Sequence, residues 1–279
     1  MKVGIIGGTG GMGRLFAPVF ERSGFDVAVS GRSTPLSNRD IAEESDIVIV
    51  SVPIHDTVPV IEEIAPFLRE DQVLCDFTSV KSGPVTAMLK TDAEVIGLHP
   101  MFGPSVSSLS GQTVISVPAR CRRESAALLY RVFRGEDATV IEMDAGEHDR
   151  VMGVVQGLVH FATLCVADAV RNSGLSPDVI IPVMSPVYRI EMGLIGRILG
   201  QSPELYGDIL MMNSESGVMA GKFSESSENM LKCISEKDFE SFKEIFEKNS
   251  EFFSGYIPQA TRDTDLVIDA LAKSGRPLK

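Results

Sequence analysis

The chain has 279 residues, 44% of them hydrophobic and 23% charged, and a formal net charge of −12. That composition describes a globular chain with ample core and room for roughly two domains. The acidic balance argues against nucleic acid or an anionic membrane as partner, since both are met by basic surfaces; a small anionic ligand held by local positive charge in a cleft stays open.

No apolar run approaches the about 20 residues needed to cross a bilayer, and "MKVGIIGG" opens as a strand and not as a secretory leader. Cys75, Cys121, Cys165 and Cys233 are widely spaced, with no CxxC. Neither a metal site nor a disulfide framework is expected, and a reducing, cytoplasmic setting fits.

In chain order, strands are expected at 2–7, 26–30, 46–51, 72–76, 94–98, 113–117 and 138–142, with helical stretches such as 12–22, 57–68 and 122–134 between them. Most of these strands are continuous Val/Ile runs, the pattern of a parallel sheet covered on both faces. The alternation predicts an α/β, doubly wound dinucleotide-binding (Rossmann) domain over 1–143. From about residue 145 the spacing becomes helical throughout, which predicts an all-helical second domain over 144–279. Its first segment reads as one long helix closed at Asn172–Gly174, followed by helices near 185–200, 203–212, 214–234 and 237–254, with no long helix beyond. The apolar surface of 150–170 exceeds what a small monomeric bundle hides, so burial against a second subunit, and hence a homodimer, is expected.

"VGIIGGTGGMGRLF" sets Gly8, Gly10 and Gly13 in a G-x-G-x-x-G pattern directly after the first strand and at the start of a helix. In that context Gly8 serves the tight turn, Gly10 the close approach of a pyrophosphate and Gly13 the packing of helix on sheet, with Met12 counted among the cofactor contacts. The second strand ends in Ser30-Gly31-Arg32-Ser33, without the carboxylate that would accept from a ribose 2′-hydroxyl. Arg32 and Ser33 suit a 2′-phosphate instead, so NADP is expected in preference to NAD.

Three stretches follow expected strand ends, where doubly wound folds bind ligands: "SVPIHDT" (51–57), "DFTSVKSGP" (76–84) and "GLHPMFGP" (97–104). Val52 and Pro53 would lie beside the nicotinamide. With the fourth and fifth strands adjacent, Ser79 and His99 would share one end of the sheet, a hydroxyl fixing the imidazole tautomer so that the other nitrogen is free for chemistry. His55 reads as a surface residue, and His148 as a capping or interface residue early in the long helix.

Together with "EHDRVMGVVQGLVHFAT" (147–163) and "SPVYRIEMGLIGRILGQSPELYGDI" (185–209), these motifs resemble the prephenate dehydrogenase family of tyrosine biosynthesis along nearly the whole chain. The resemblance implies a dinucleotide-binding domain followed by a helical, dimer-forming domain. It implies that His99 takes the proton from the substrate's ring hydroxyl as hydride leaves the same carbon, and that Ser79 orients that histidine. Arg197 would hold a substrate carboxylate and His160 line the pocket, with Arg189 and Lys81 as further basic substrate positions. The implied reaction converts prephenate to 4-hydroxyphenylpyruvate and carbon dioxide. No fused mutase or regulatory domain is expected.

Three other readings stand beside it. The substrate could be arogenate, the side-chain amino analogue. The chain could be another two-domain NADP-dependent oxidoreductase, of the β-hydroxyacid dehydrogenase or imine reductase type, or a non-catalytic sensor of the dinucleotide.

Overall fold

The computed structural model describes residues 1–274; positions 275–279 of the expected helical domain lie outside the described residues. The chain divides into two compact units, one comprising Met1–Val155 and Gly207–Glu215, the other Gln156–Tyr206 and the chain from Ser216 onward.

In the first unit the apolar runs become seven strands: β1 (Lys2–Ile6), β2 (Asp26–Ser30), β3 (Ile47–Val50), β4 (Val73–Asp76), β5 (Glu94–Pro100), β6 (Thr113–Arg120) and β7 (Thr139–Glu142). They form one sheet in the order β2-β1-β3-β4-β5-β6-β7. Alternate residues of each strand feed opposite cores, which is why the runs are continuous. Val3, Ile5, Ile47, Ile49, Cys75, Ile96 and Leu98 pack with Phe16 and Phe20 of α1 (Gly11–Arg22) and with Leu129 and Phe133 of α5 (Arg123–Gly135). On the other face Ile6, Val48, Val50, Leu74 and Val95 pack with Ile41 of α2 (Asn38–Glu44), Ile61 and Ile64 of α3 (Ile54–Ile64), and Val85 and Met88 of α4 (Ser82–Met88).

One pairing corrects the expected all-parallel sheet: β5 and β6 run antiparallel, His99 opposite Ile115. A parallel return needs a crossover of a dozen or more residues, usually helical, and no helix lies between Pro100 and Thr113. A second consequence is that β5 extends to Pro100, so His99 sits within the strand and not after it.

The strand order reverses direction at β1, which is flanked by β2 and β3 (register Ile6–Ser30 and Ile6–Val50). The loop from β1 to α1 therefore opens at the topological switch point. Gly7 there has φ +77°, in the left-handed region where a Cβ is disfavoured. A Cβ on Gly13 would sit 2.4 Å from Gly8 Cα, so α1 rests directly on the loop. Gly13→Ala is therefore expected to push the helix off the loop and weaken dinucleotide binding by roughly tenfold or more, about 1.4 kcal/mol. Fluorescence titration with the reduced dinucleotide measures it, and wild-type affinity would contradict this packing role.

The remaining helices are α6 (Ala145–Met152), a wider π-helical turn (Gly153–Leu158), α7 (Val159–Asn172), α8 (Pro177–Ile180), α9 (Pro186–Leu199), α10 (Pro203–Met211), α11 (Ser214–Glu236), α12 (Phe239–Phe252) and α13 (Ile257–Lys273). In the second unit α9 packs against α7 and α13. Three expectations change here. The long helix is interrupted by the π turn, and α13 adds a long helix beyond residue 254. By length and composition Ala145–Asn172 is also apolar enough to cross a membrane, contrary to the expectation that no run comes close. Gln156, His160 and Thr163 punctuate that run, so only an average over the helix reveals it.

Candidate active site

The loop after β1, the loop after β3 and the end of β5 converge at one end of the sheet. A Cβ on Gly7 would lie 2.3 Å from the Ser51 carbonyl oxygen, and one on Gly11 would lie 2.8 Å from Pro104 Cγ. The glycine loop is thus bracketed by "SVP" on one side and "FGP" on the other, with half-buried Val52 and exposed Pro53 ahead of α3. Gly10 is the N-cap of α1 and brings no side-chain oxygen to the first helical N–H groups. Those donors, Gly8 in contact with Val29, and half-buried Met12 fit the pyrophosphate of a dinucleotide. At the end of β2, Ser30 is buried and donates to Asn38 Oδ1 at 2.9 Å, leaving exposed Arg32 and Ser33 in the turn that follows. That set fits the adenosine end of such a cofactor and offers a cation for a 2′-phosphate.

His99 is 2% exposed. Its Nδ1 lies 2.8 Å from Nε2 of His148, and Nδ1 of His148 lies 2.8 Å from Oδ1 of Asp149. Asp149 in turn accepts from the backbone N–H groups of Lys81 (2.8 Å) and Ser82 (2.9 Å). These partners fix the tautomers by elimination. The carboxylate only accepts, so Nδ1 of His148 donates, its Nε2 accepts, and Nδ1 of His99 must donate. Nε2 of His99 then carries the ring's lone pair, the requirement for a general base.

The electrostatics agree. Burial, then His148 and the Lys81 ammonium, hold His99 well below the ordinary imidazole value of 6.5. His148 is also lowered by burial, partly offset by its bond to Asp149. Burial alone would raise Asp149, but the bonds from His148, Ser82 and Lys81 outweigh it and bring the carboxyl down to about 2. Since the base works only while neutral, and a lowered value keeps it neutral to lower pH, the acid limb of kcat/KM is expected below pH 6.5. A pH–rate profile with a midpoint above 6.5 would contradict this.

Nδ1 of His99 meets His148, and Ser79 lies half-buried in the turn after β4. Two expectations need correction. His148 is fully enclosed between His99 and Asp149 and is neither a cap nor an interface residue. Lys81 is not available to a substrate: it is 0% exposed, its ammonium donating to the Asp76 carboxylate and, at 3.1 Å, to the Thr78 hydroxyl. Gly97 on β5 makes the room, since a Cβ there would lie 3.0 Å from Lys81 Cδ. His55 is half-exposed, as expected of a surface residue, and its Nδ1 lies 2.6 Å from Asp208 Oδ2.

The other substrate candidates belong to the helical unit. His160 lies on α7, Arg189 and Arg197 on α9. The His160 ring meets Tyr206 edge-on at 5.0 Å, and its Nδ1 is buried without a hydrogen bond. The Tyr206 hydroxyl accepts from Gln201 Nε2 at 3.0 Å, and Gln201 also donates to the Arg197 carbonyl. Burial raises the Tyr206 phenol and the Arg197 cation lowers it, so the two side chains face common ground. Sequence reading missed His148, Asp149 and Tyr206. The "EHD" and "ELYGD" runs were its only signals, and nothing in their spacing points to His99 or His160. Among the described residues no group of acidic, histidine and cysteine side chains is arranged to hold a metal.

Comparison with known proteins gives the family of the chain. The family model described as "Prephenate dehydrogenase, nucleotide-binding domain" matches residues 19–142, and "Prephenate dehydrogenase, dimerization domain" matches residues 144–248. A probable arogenate/prephenate dehydrogenase of Methanocaldococcus jannaschii is 34% identical over 97% of this chain and 65% of its own length. The T-protein of Haemophilus influenzae is 33% identical over 94% of this chain and 70% of its own. The chain thus spans about two thirds of the length of these relatives. Among solved structures, prephenate dehydrogenase from A. aeolicus, in complex with hydroxyphenyl propionate and NAD+, shares the fold with a TM-score of 0.70. It is 23% identical, and the match covers 91% of this chain and 98% of that one.

Proposed function

Because this chain belongs to the prephenate dehydrogenase family, we propose that it catalyses the oxidative decarboxylation of prephenate to 4-hydroxyphenylpyruvate in tyrosine biosynthesis. The observation that carries the reading is a buried imidazole on β5, held through Nδ1 by His148, beside a dinucleotide loop. The bound nicotinamide ring supplies the hydride acceptor.

His99 accepts the proton of the ring hydroxyl as hydride leaves the same carbon. Loss of carbon dioxide from the opposite ring carbon then makes the ring aromatic, and the imidazolium returns its proton to the product oxygen. Ser79, half-buried in the turn after β4, remains the nearby hydroxyl proposed to help orient the reacting groups. Arg197 is assigned to a substrate carboxylate, with His160 and Arg189 lining the pocket. A positioned base of this kind contributes ~10²–10⁴-fold, and an arginine fork adds orientation to charge.

Arogenate is the second reading, favoured by the name of the Methanocaldococcus relative. NADP is the preferred cofactor in this proposal, supported by Arg32 and by a β2 end without a carboxylate. Domain roles follow the same reading: 1–143 binds the dinucleotide, while 144–279 binds substrate and pairs with a second copy. Exposed Leu231, Ile234, Phe239 and Phe246 support the homodimer, since α11 and α12 bury little of their apolar surface within the chain. A cytoplasmic setting belongs to this reading.

The test offers prephenate or arogenate with NADP or NAD in turn and follows the absorbance of the reduced nicotinamide. Fast reduction of NADP by prephenate is expected; turnover with arogenate alone would move the substrate, and silence in all four pairs would remove the function. Arg32→Glu is expected to shift the ratio of efficiencies from NADP towards NAD, by roughly tenfold or more for a lost charge-assisted contact. An unchanged ratio would take Arg32 out of the site.

A further inference from the structure

The helical half of the sequence returns one segment to the dinucleotide unit. Gly207–Glu215, the end of α10 with the link into α11, groups with Met1–Val155, although the chain before and after it belongs to the helical unit. It is anchored there at three places. Asp208 reaches the start of α3, its Oδ2 lying 2.6 Å from Nδ1 of His55 and 3.4 Å from the His55 backbone nitrogen. The carboxylate only accepts, so both nitrogens donate to it. Ile209, the next residue, is buried with Ile54 of α3 and Val80 of the turn after β4. Asn213, itself buried, donates from Nδ2 to the Asp149 carbonyl at 2.8 Å and accepts from the Glu215 N–H at 3.0 Å. Between these anchors the packing is open: Met212 and Glu215 border a cavity of about 250 Å³ together with Ile54, Val80 and Asp149.

Two of the anchors fall on turns that the proposed function uses. Ile54 and His55 directly follow Val52 and Pro53, assigned to the nicotinamide, and Val80 directly follows Ser79. Pro53 is the N-cap of α3 and brings no side-chain hydrogen bond to its first N–H groups. Asp208 supplies that acceptor from 153 positions away, where the positive end of the helix favours a carboxylate. Asp56 also flanks the imidazole, 3.7 Å from Nε2 of His55, but it lies on α3 itself and so cannot fix that helix to a neighbour.

We propose that Gly207–Glu215 is a strap that sets the nicotinamide turn against the Ser79 turn, with Asp208 as its positioning residue. This rests on the function proposed above. Asp208 touches no reacting atom; it acts through His55, while Ile209 beside it holds Ile54 and Val80. With His55 half-exposed, the pair adds little to stability. Its effect is positional, because a displacement of about 1 Å at the reacting atoms can cost about 10²-fold in rate.

Asp208→Ala tests the strap by rate and by binding. The rate at saturating substrate, kcat, should fall about fivefold or more. In binding, the reduced dinucleotide is compared with the matching ADP-ribose fragment, which lacks the nicotinamide but keeps the groups that the glycine loop and the β2 end would hold. The variant should weaken the dinucleotide at least about threefold more than the fragment. His55→Ala should give the same losses, and the double variant no further loss, since both remove one contact. Asp208→Asn, which keeps an oxygen for the His55 donors, should recover most of the rate. A smaller fall in kcat, equal weakening of the two ligands, or losses that add in the double variant would each overturn the strap. Wild-type protein that binds the dinucleotide but turns over neither prephenate nor arogenate would refute the proposed function instead, and the binding comparison would still decide the strap.

Discussion

His99→Asn is expected to lower kcat/KM by ~10²–10⁴-fold, the contribution of a positioned general base, while leaving dinucleotide affinity within about twofold. The substitution is chosen for its geometry. An asparagine amide reaches the position of the imidazole Nδ1 and can keep the hydrogen bond to His148, so the buried chain stays satisfied. What is lost is the lone pair at Nε2. The glycine loop, the "SVP" turn and the β2 end are untouched, so the dinucleotide should bind as before. Initial rates and a fluorescence titration on the same preparation separate the two effects. A loss of tenfold or less would mean that another group takes the proton. A parallel loss of nucleotide binding would mean that His99 serves the fold.

The second large effect concerns stability. Lys81→Met removes one half of an ion pair in which both partners are 0% exposed, leaving the Asp76 carboxylate buried without its cation. Breaking such a pair typically costs about 3–5 kcal/mol, which for a chain of this size lowers Tm by roughly 10 °C. Asp76→Asn added to Lys81→Met should recover about half of that loss or more, because it removes the orphaned charge and keeps the shape. Thermal unfolding of the single and double variants measures it, with KM for the substrate as the counter-check. A wild-type Tm with a raised KM would return Lys81 to the substrate and contradict its burial beneath Gly97.

Much of the sheet unit was legible because its strands are covered on both faces. Within runs such as "DIVIVS" and "VGIIG" the strand residues Ile47–Val50 and Val3–Ile6 are all buried, so their ends could be placed within a residue or two. Short helices were not: α2 and α4 have seven residues each, too few for a periodic apolar face to stand out. The helix at Ile257–Lys273 was missed for another reason. Its second residue is Pro258, and a proline in the first turn begins a helix as well as it follows one. The antiparallel β6 could have been inferred from the helix-free link at 101–112, but strand composition alone says nothing of direction.

The candidate site divides the same way. His99 and the glycine loop announced themselves by their neighbours in sequence. The chain behind His99 did not, because His148 stands 49 positions away and meets His99 only after β6, α5 and β7 have been laid down between them. Lys81 misled because its substrate role came from the family resemblance alone, and only the gap at Gly97 reveals that it turns inward to Asp76.

The most direct measurement follows carbon dioxide and reduced nicotinamide together while the purified protein acts on prephenate. Oxidative decarboxylation with His99 as its base predicts the two in equal amounts, both falling together in His99→Asn. Reduced nicotinamide without carbon dioxide, or neither product from protein that binds the dinucleotide normally, would contradict it.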